Sequence, residues 1–249
     1  MRAARGPLLD LAAEAPWVAG EDLTGPGTVL VLAPHPDDEA LGCGAAIVQA
    51  RAAGHRVVVA VMTDGRRSHP NSQTHGPEAL AALRRSEVER SVEILTGTAD
   101  AMLWLGVPDC ALPKAEGEIA PLVDALAGLV DHVGATALWS AWGGDPHCDH
   151  EATASIAASL CRRRPDLQHF SYPVWGRFAD AVPDRLSRAG TLVRLETSGE
   201  RDRKQAAVAA HRSQMTGLID DDPDGFLMEP ALQHHFIEAP EIFIREGRP

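Results

Sequence analysis

At 249 residues the chain can bury one sizeable core as a single domain. Its 45% hydrophobic and 23% charged residues exclude a disordered or fibrous chain. A net charge of −12 with no long Lys/Arg cluster argues against nucleic acid as a partner, and no apolar run approaches a membrane span.

The predicted elements alternate strand and helix. Residues 28–33 (TVLVLA) are short, apolar and β-branched, the mark of a buried parallel strand, and an Ala-rich helix follows over 39–53. A second buried strand runs over 56–62 and stops at Asp64-Gly65. Residues 66–77 hold Ser, His, Asn, Gly and Pro and read as a mobile loop. An amphipathic helix over 78–95 places Val88, Val92 and Leu95 on one face. A strand over 102–105, a Gly/Pro-rich loop to 117, a helix over 118–132 and a strand over 135–140 come next. The polar loop 141–148 leads into a helix over 149–163. Beyond it the alternation weakens, with strands near 168–172, 191–195 and 241–245, a helix over 200–211 and an acidic turn over 220–225. There is no internal repeat or linker. The expected fold is α/β: one Rossmann-like domain over 1–249, with a mostly parallel sheet flanked by helices and a more irregular C-terminal part. In such sheets chemistry collects in loops after the carboxyl ends of strands, here after Ala33, Met62 and Ser140.

Cys43, Cys110, Cys148 and Cys161 form no C-x-x-C pair and read as thiols of a reducing compartment. Asp10 and Glu14 interrupt the N-terminal apolar stretch, which is too short for a signal peptide, so a cytoplasmic location is expected. Gly42-Cys43-Gly44 lacks the third glycine of a dinucleotide fingerprint and sits in a helix that opens with acids.

The first strand runs straight into Pro34-His35-Pro36-Asp37-Asp38-Glu39. Clustered acids resist ionisation unless a cation is near. His35 and Asp38 suit a first-row metal, and Asp37 could take a proton from water; equally, Asp37 and Asp38 could simply cap the following helix. The fourth strand is followed by Gly143-Gly144-Asp145-Pro146-His147-Cys148-Asp149-His150, whose two histidines, three apart at a helix start, can face one region. Two such clusters, each after a parallel strand, support one metal site better than either alone.

The A-P-H-P-D-D-E stretch with a later H-x-D-H resembles the PIG-L/LmbE family of zinc de-N-acetylases. Thr63-Asp64-Gly65, the R-x-x-E of Arg84 to Glu87, Gly106-Val107-Pro108-Asp109, and Lys204 with His211, Ser213 and Gln214 extend the likeness over about 28–214. The resemblance implies that His35, Asp38 and His150 bind zinc, with Asp37 as general base. It makes His147 the stabiliser of charge on the amide oxygen and Asp149 the residue that orients His147. Arg84, Asp109 and Asp64 would contact substrate, although Arg84 could instead pair with Glu87. Trp142 is the favoured tryptophan for stacking on a sugar, ahead of Trp139 and Trp175. Cys148 stands where the family often has proline; His69 and His75 are expected to face solvent.

The activity so implied is removal of an N-acetyl group from an amino-sugar-containing small molecule, with zinc as cofactor and neither nucleic acid nor membrane as partner; a homo-oligomer fits the family. The alternatives are a zinc amidase acting on a non-sugar amide, such as a thiol conjugate, and a catalytically silent binding homologue.

Overall fold

The computed structural model describes residues 6–180, 186 and 192–247. In chain order the elements are α1 (Pro7–Ala13), β1 (Trp17–Val18), α2 (Glu21–Thr24), β2 (Thr28–Ala33), α3 (Asp38–Ala52), β3 (Val57–Thr63), α4 (Pro77–Thr96) and β4 (Met102–Val107). Then come α5 (Glu116–Val133), β5 (Ala135–Ala141), α6 (Cys148–Arg163), β6 (Gln168–Tyr172), β7 (Leu192–Leu195), α7 (Arg201–Ala210), α8 (Arg212–Met215), α9 (Pro230–Glu238) and β8 (Glu241–Arg245). The predicted strand at 191–195 is seen from Leu192; Thr191 lies outside the described residues. The α/β expectation holds.

The sheet order is β1-β7-β8-β6-β5-β2-β3-β4, parallel throughout except that β8 runs antiparallel to β6 and β7. β2 is fully buried because both its faces are covered. Val29, Val31 and Ala33 pack with residues of α3, α4 and α7, while Leu30 and Leu32 meet those of α5 and α6. From β2 the chain moves outward to β3 and β4, then returns to β5 on β2's other side and continues to β6. The carboxyl ends of β2 and β5 therefore flank the switch point at which open α/β sheets bind ligands.

Two local features shape what α3 carries. Its backbone is non-helical at Cys43 (φ −143°, ψ 22°), so the helix is kinked. The amides of Ala45 and Ala46 donate to the Glu241 carboxylate at 2.7 and 2.8 Å. Lys204 Nζ donates to the Leu41 carbonyl at 3.2 Å and to the same carboxylate at 2.6 Å. A wholly buried ion pair thus replaces the main-chain bonds lost at the kink. Beside it, a Cβ on Gly42 would sit 2.2 Å from Tyr172 Cδ2, so only glycine admits this approach.

The loop after β3 is pinned by hydrogen bonds that its composition does not foretell. Asp221 accepts from Ser72 Oγ (2.8 Å) and from the amides of Gln73 (2.8 Å) and Thr74 (2.9 Å), and Asp222 accepts from the Asn71 amide (2.8 Å). His69, expected in solvent, is buried against Gly225. The acidic turn is what fixes the loop.

Candidate active site

The loops after β2, β3, β4, β5 and β6, with residues of the 214–227 segment, line an open cavity of about 870 Å³. At its floor the two predicted clusters meet. Asp38 Oδ2 lies 3.2 Å from His35 Nδ1 and 3.3 Å from His150 Nε2. One ring nitrogen from each of His35, His147 and His150 lies within 4.8 Å of the others. Capping does not account for Asp37, whose side chain makes no cap hydrogen bond. Its backbone instead adopts φ 141°, a strained value for a residue with a Cβ. Glu39 holds it there: Glu39 Oε2 accepts from the Asp37 amide (3.0 Å), while Oε1 takes Ser91 Oγ (2.6 Å) and His211 Nε2 (2.9 Å).

The charges at the floor are strongly coupled. Burial works against charge on His35, yet hydrogen bonds to Asp109, Asp149 and Asp38 outweigh it and hold its pKa well above the ordinary value. Burial likewise opposes a charged His150, but Asp38 and Asp145 raise it to about 9. Burial disfavours the Asp38 anion too, and His150 with His35 nevertheless keeps it well below the usual carboxylate range. The carboxylates therefore draw positive charge onto two imidazoles, and a divalent cation would supply that charge directly. His150 Nε2 is buried and makes no hydrogen bond, although it points to the region of Asp38. Two imidazole nitrogens and one carboxylate oxygen, one of the nitrogens making no hydrogen bond, fit a catalytic cation with an open position.

Asp145 completes this set. Its Oδ2 accepts from His150 Nδ1 and the Val174 amide, both at 2.9 Å, and its Oδ1 accepts from the Gly176 amide at 2.8 Å. It fixes the ring so that Nε2 faces Asp38. The sequence hides this role, since an Asp before Pro in a Gly-rich loop reads as a turn residue.

Asp37 is buried, which pushes its pKa up to about 6, with Arg84 opposing and Asp38 adding to the rise. Arg84 Nη2 lies 3.4 Å from Asp37 Oδ2 and donates to the Pro36 carbonyl (2.7 Å), while Nη1 donates to the Gly65 carbonyl (3.0 Å). Its guanidinium is thus engaged within the protein beside Asp37, and Glu87 bonds Ser213 instead. Gly65 adopts φ 62°, which favours glycine, and a Cβ there would also displace the Arg84 guanidinium, 2.2 Å away.

His147 Nδ1 accepts the Asp149 amide hydrogen at 3.2 Å, so the proton of the neutral ring sits on Nε2. Burial and the neighbouring His35 and His150 lower its pKa. The Asp149 carboxylate does not reach His147 as expected. Its Oδ2 accepts from the Cys110 amide (2.7 Å) and contacts His35 Nε2 (3.2 Å); the backbone amide, not the carboxylate, orients His147.

Among the predicted substrate contacts, Arg84 and Asp109 line the cavity and Asp64 and Trp142 do not. Asp64 is turned into the protein, bonding Arg66 Nε (2.6 Å) and the Asp109 amide (3.1 Å), which positions the β4 loop. Trp142 is buried against α1 residues, with its ring filling the space beside Gly144 and Gly176. Trp175 takes the wall instead, in edge contact with Phe226 at 5.7 Å, and Phe178 and Leu227 extend this apolar side.

A His–Asp–His cluster beside a strained, buried carboxylate, at the switch point of a parallel sheet, is the layout of a metal-dependent hydrolase. Residues 30–161, more than half of the chain, match the family model PIG-L, described as GlcNAc-PI de-N-acetylase, and the chain belongs to that family. It is 42% identical over 67 residues to the diacetylchitobiose deacetylase of Thermococcus kodakarensis, a match covering 27% of this chain and 25% of that protein. It is 25% identical over 173 residues to an uncharacterized deacetylase, YaiS, of Escherichia coli, covering 67% of this chain and 86% of that protein. Solved structures share the fold, two of them as follows. The N,N'-diacetylchitobiose deacetylase from Pyrococcus horikoshii gives a TM-score of 0.61 at 21% identity over 88% of this chain and 82% of that one. A deacetylase of the teicoplanin biosynthetic pathway gives 0.66 at 20% identity, over 89% and 98%. Among the described residues no helix is long and apolar enough to cross a membrane.

Proposed function

We propose that the protein is a zinc-dependent hydrolase that removes the acetyl group from an N-acetylated amino sugar carried on a larger small molecule. The observation that carries this reading is the convergence of His35, Asp38 and His150 with Asp37 held alongside in a strained backbone.

An acetamide is a poor electrophile, and zinc held by His35, Asp38 and His150 would polarise its carbonyl and acidify water. As the oxygen of the attacking water bonds to the acyl carbon, Asp37 takes its proton. Its pKa of about 6 is close to a neutral working pH, where a carboxylate is both ionised and basic enough to act. Arg84 steadies the anion. His147 donates from Nε2 to the acyl oxygen as negative charge develops, because its Nδ1 is committed to the Asp149 amide. As the C–N bond breaks, the proton collected by Asp37 passes to the departing amine, leaving acetate and a free amino sugar. Asp109 at the cavity wall is placed to accept from substrate hydroxyls, and Trp175 offers an apolar face for the sugar ring or its aglycone.

Acetate release from a panel of N-acetylglucosamine conjugates, set against N-acetylated amines without a sugar, tests the reading. Release confined to the sugar conjugates is expected. Turnover of the simple amides alone would overturn the sugar assignment in favour of a general amidase.

A further inference from the structure

Two thiols stand at the edge of this site without a part in the chemistry above. Cys110, on the β4 loop, is exposed and lines the cavity; Cys148, at the start of α6, is half-buried. The other cysteines, Cys43 and Cys161, are buried away from it. The ligand atoms of Cys110, His147 and Cys148 all lie within 4.8 Å of one another. Two thiolates on one tetrahedral zinc stand roughly 3.8 Å apart, given Zn–S bonds of about 2.3 Å. The three side chains are therefore near a closing geometry.

The backbone fixes this approach. Cys110 adopts φ 63°, a left-handed value that a residue with a Cβ seldom takes, and its amide is anchored on Asp149 Oδ2 at 2.7 Å. Cys148 follows His147 directly at the first turn of α6. Both thiols are thus held by the segments that build the floor of the cavity. Cys110 is exposed and open to ions from solvent.

We infer that Cys110, His147 and Cys148 form a second metal site at the cavity edge, selective for soft ions, whose occupancy withdraws His147 from catalysis. Two sulfurs and an imidazole favour Cd²⁺, Cu⁺ or zinc in excess, whereas the N₂O set below is harder. Each thiol releases its proton to solvent on binding, and the ring binds through Nε2, moving its proton to Nδ1 and giving up the weak 3.2 Å bond from the Asp149 amide. The first ion activates; the second inhibits. The inference deepens the hydrolase reading by assigning regulation to the same cavity, and rests on it only for the inhibition.

The test is a Co²⁺ titration of the chelator-stripped, reduced full chain, following bound ions, the near-ultraviolet thiolate-to-metal charge-transfer band and acetate release. Two ions per chain are expected, the second bringing the band and a roughly 100-fold loss of rate, the scale of losing a charge-stabilising donor. Cys148→Ser and the double variant Cys110→Ser, Cys148→Ser should bind one ion and show no band. One ion without a band in the native chain would sink the second site and leave the first intact. A band with a single bound ion would support the thiol site and remove the His–Asp–His one. Loss of both free thiols on air oxidation, with no second ion taken up by the reduced chain, would replace the metal site by a disulfide.

Discussion

Replacing Glu241 by Gln should cost a large part of the protein's stability. The carboxylate accepts the Ala45 and Ala46 amides at the α3 kink and pairs with Lys204 at 2.6 Å, all of it buried. Gln keeps one acceptor and turns an NH₂ group towards the rest, so a buried donor loses its partner at about 1–3 kcal/mol. It also leaves Lys204 as an unpaired buried cation, at about 3–5 kcal/mol. Burial already lowers the Lys204 pKa despite Glu241. Without the carboxylate the amine would discharge, and giving up its proton at pH 7 costs at most about 4.6 kcal/mol from a free value near 10.4, which bounds the same term. The sum, roughly 4–8 kcal/mol, is much of a domain's stability. Because the unfolded chain then binds one more proton than the folded one, the variant should recover stability as pH rises from 7 towards about 10, by up to about 1.4 kcal/mol per unit. Urea unfolding followed by circular dichroism at several pH values measures both effects. Adding Lys204→Met removes the orphan cation and should restore part of the loss. A change below about 1 kcal/mol, or a double variant no better than the sum of its parts, would refute the reasoning.

Four further outcomes follow from the same geometry. Asp37→Asn should lower kcat by roughly 10²–10⁴-fold with bound zinc unchanged, measured by acetate release beside metal analysis. Asp145→Ala, which frees the His150 ring, should weaken zinc binding by roughly 10–100-fold in a chelator competition. Gly42→Ala drives a methyl into the Tyr172 ring and should cost about 1–3 kcal/mol, read as a lowered Tm. Burial pushes His169 down to about 4, so the folded state holds this ring neutral. Stability should therefore fall as pH drops from about 6.5 towards 4, where only the unfolded chain takes up the proton, and His169→Gln should flatten that limb of the curve.

What could be read from the chain alone divides along physical lines. The strands at 28–33 and 168–172 are legible to the residue because a doubly covered strand must be apolar throughout or flanked by clear breaks. The His–Asp clusters announce themselves because a buried strand ending in acids makes no packing sense. The α1 and α9 helices go unread: they are short, and α1 is defined by its docking on Trp142 and β8 residues rather than by its own periodicity. Loop 66–77 reads as mobile because the acids that pin it, Asp221 and Asp222, lie about 150 residues further on. Trp142 misleads for a related reason: its place beside Gly144 and Gly176 depends on two loops meeting. Asp145, Glu39 and His211 carry their roles only through partners brought together by the sheet.

The most direct test of the central claim is stoichiometric reconstitution. Chelator-stripped protein is given zinc in fractional steps while acetate release from an N-acetylglucosamine conjugate is followed, beside His150→Ala treated identically. Activity rising linearly to a maximum at one ion per chain, and absent from the variant, is the predicted result. Full activity in the stripped protein, or an unimpaired His150→Ala, would contradict the account.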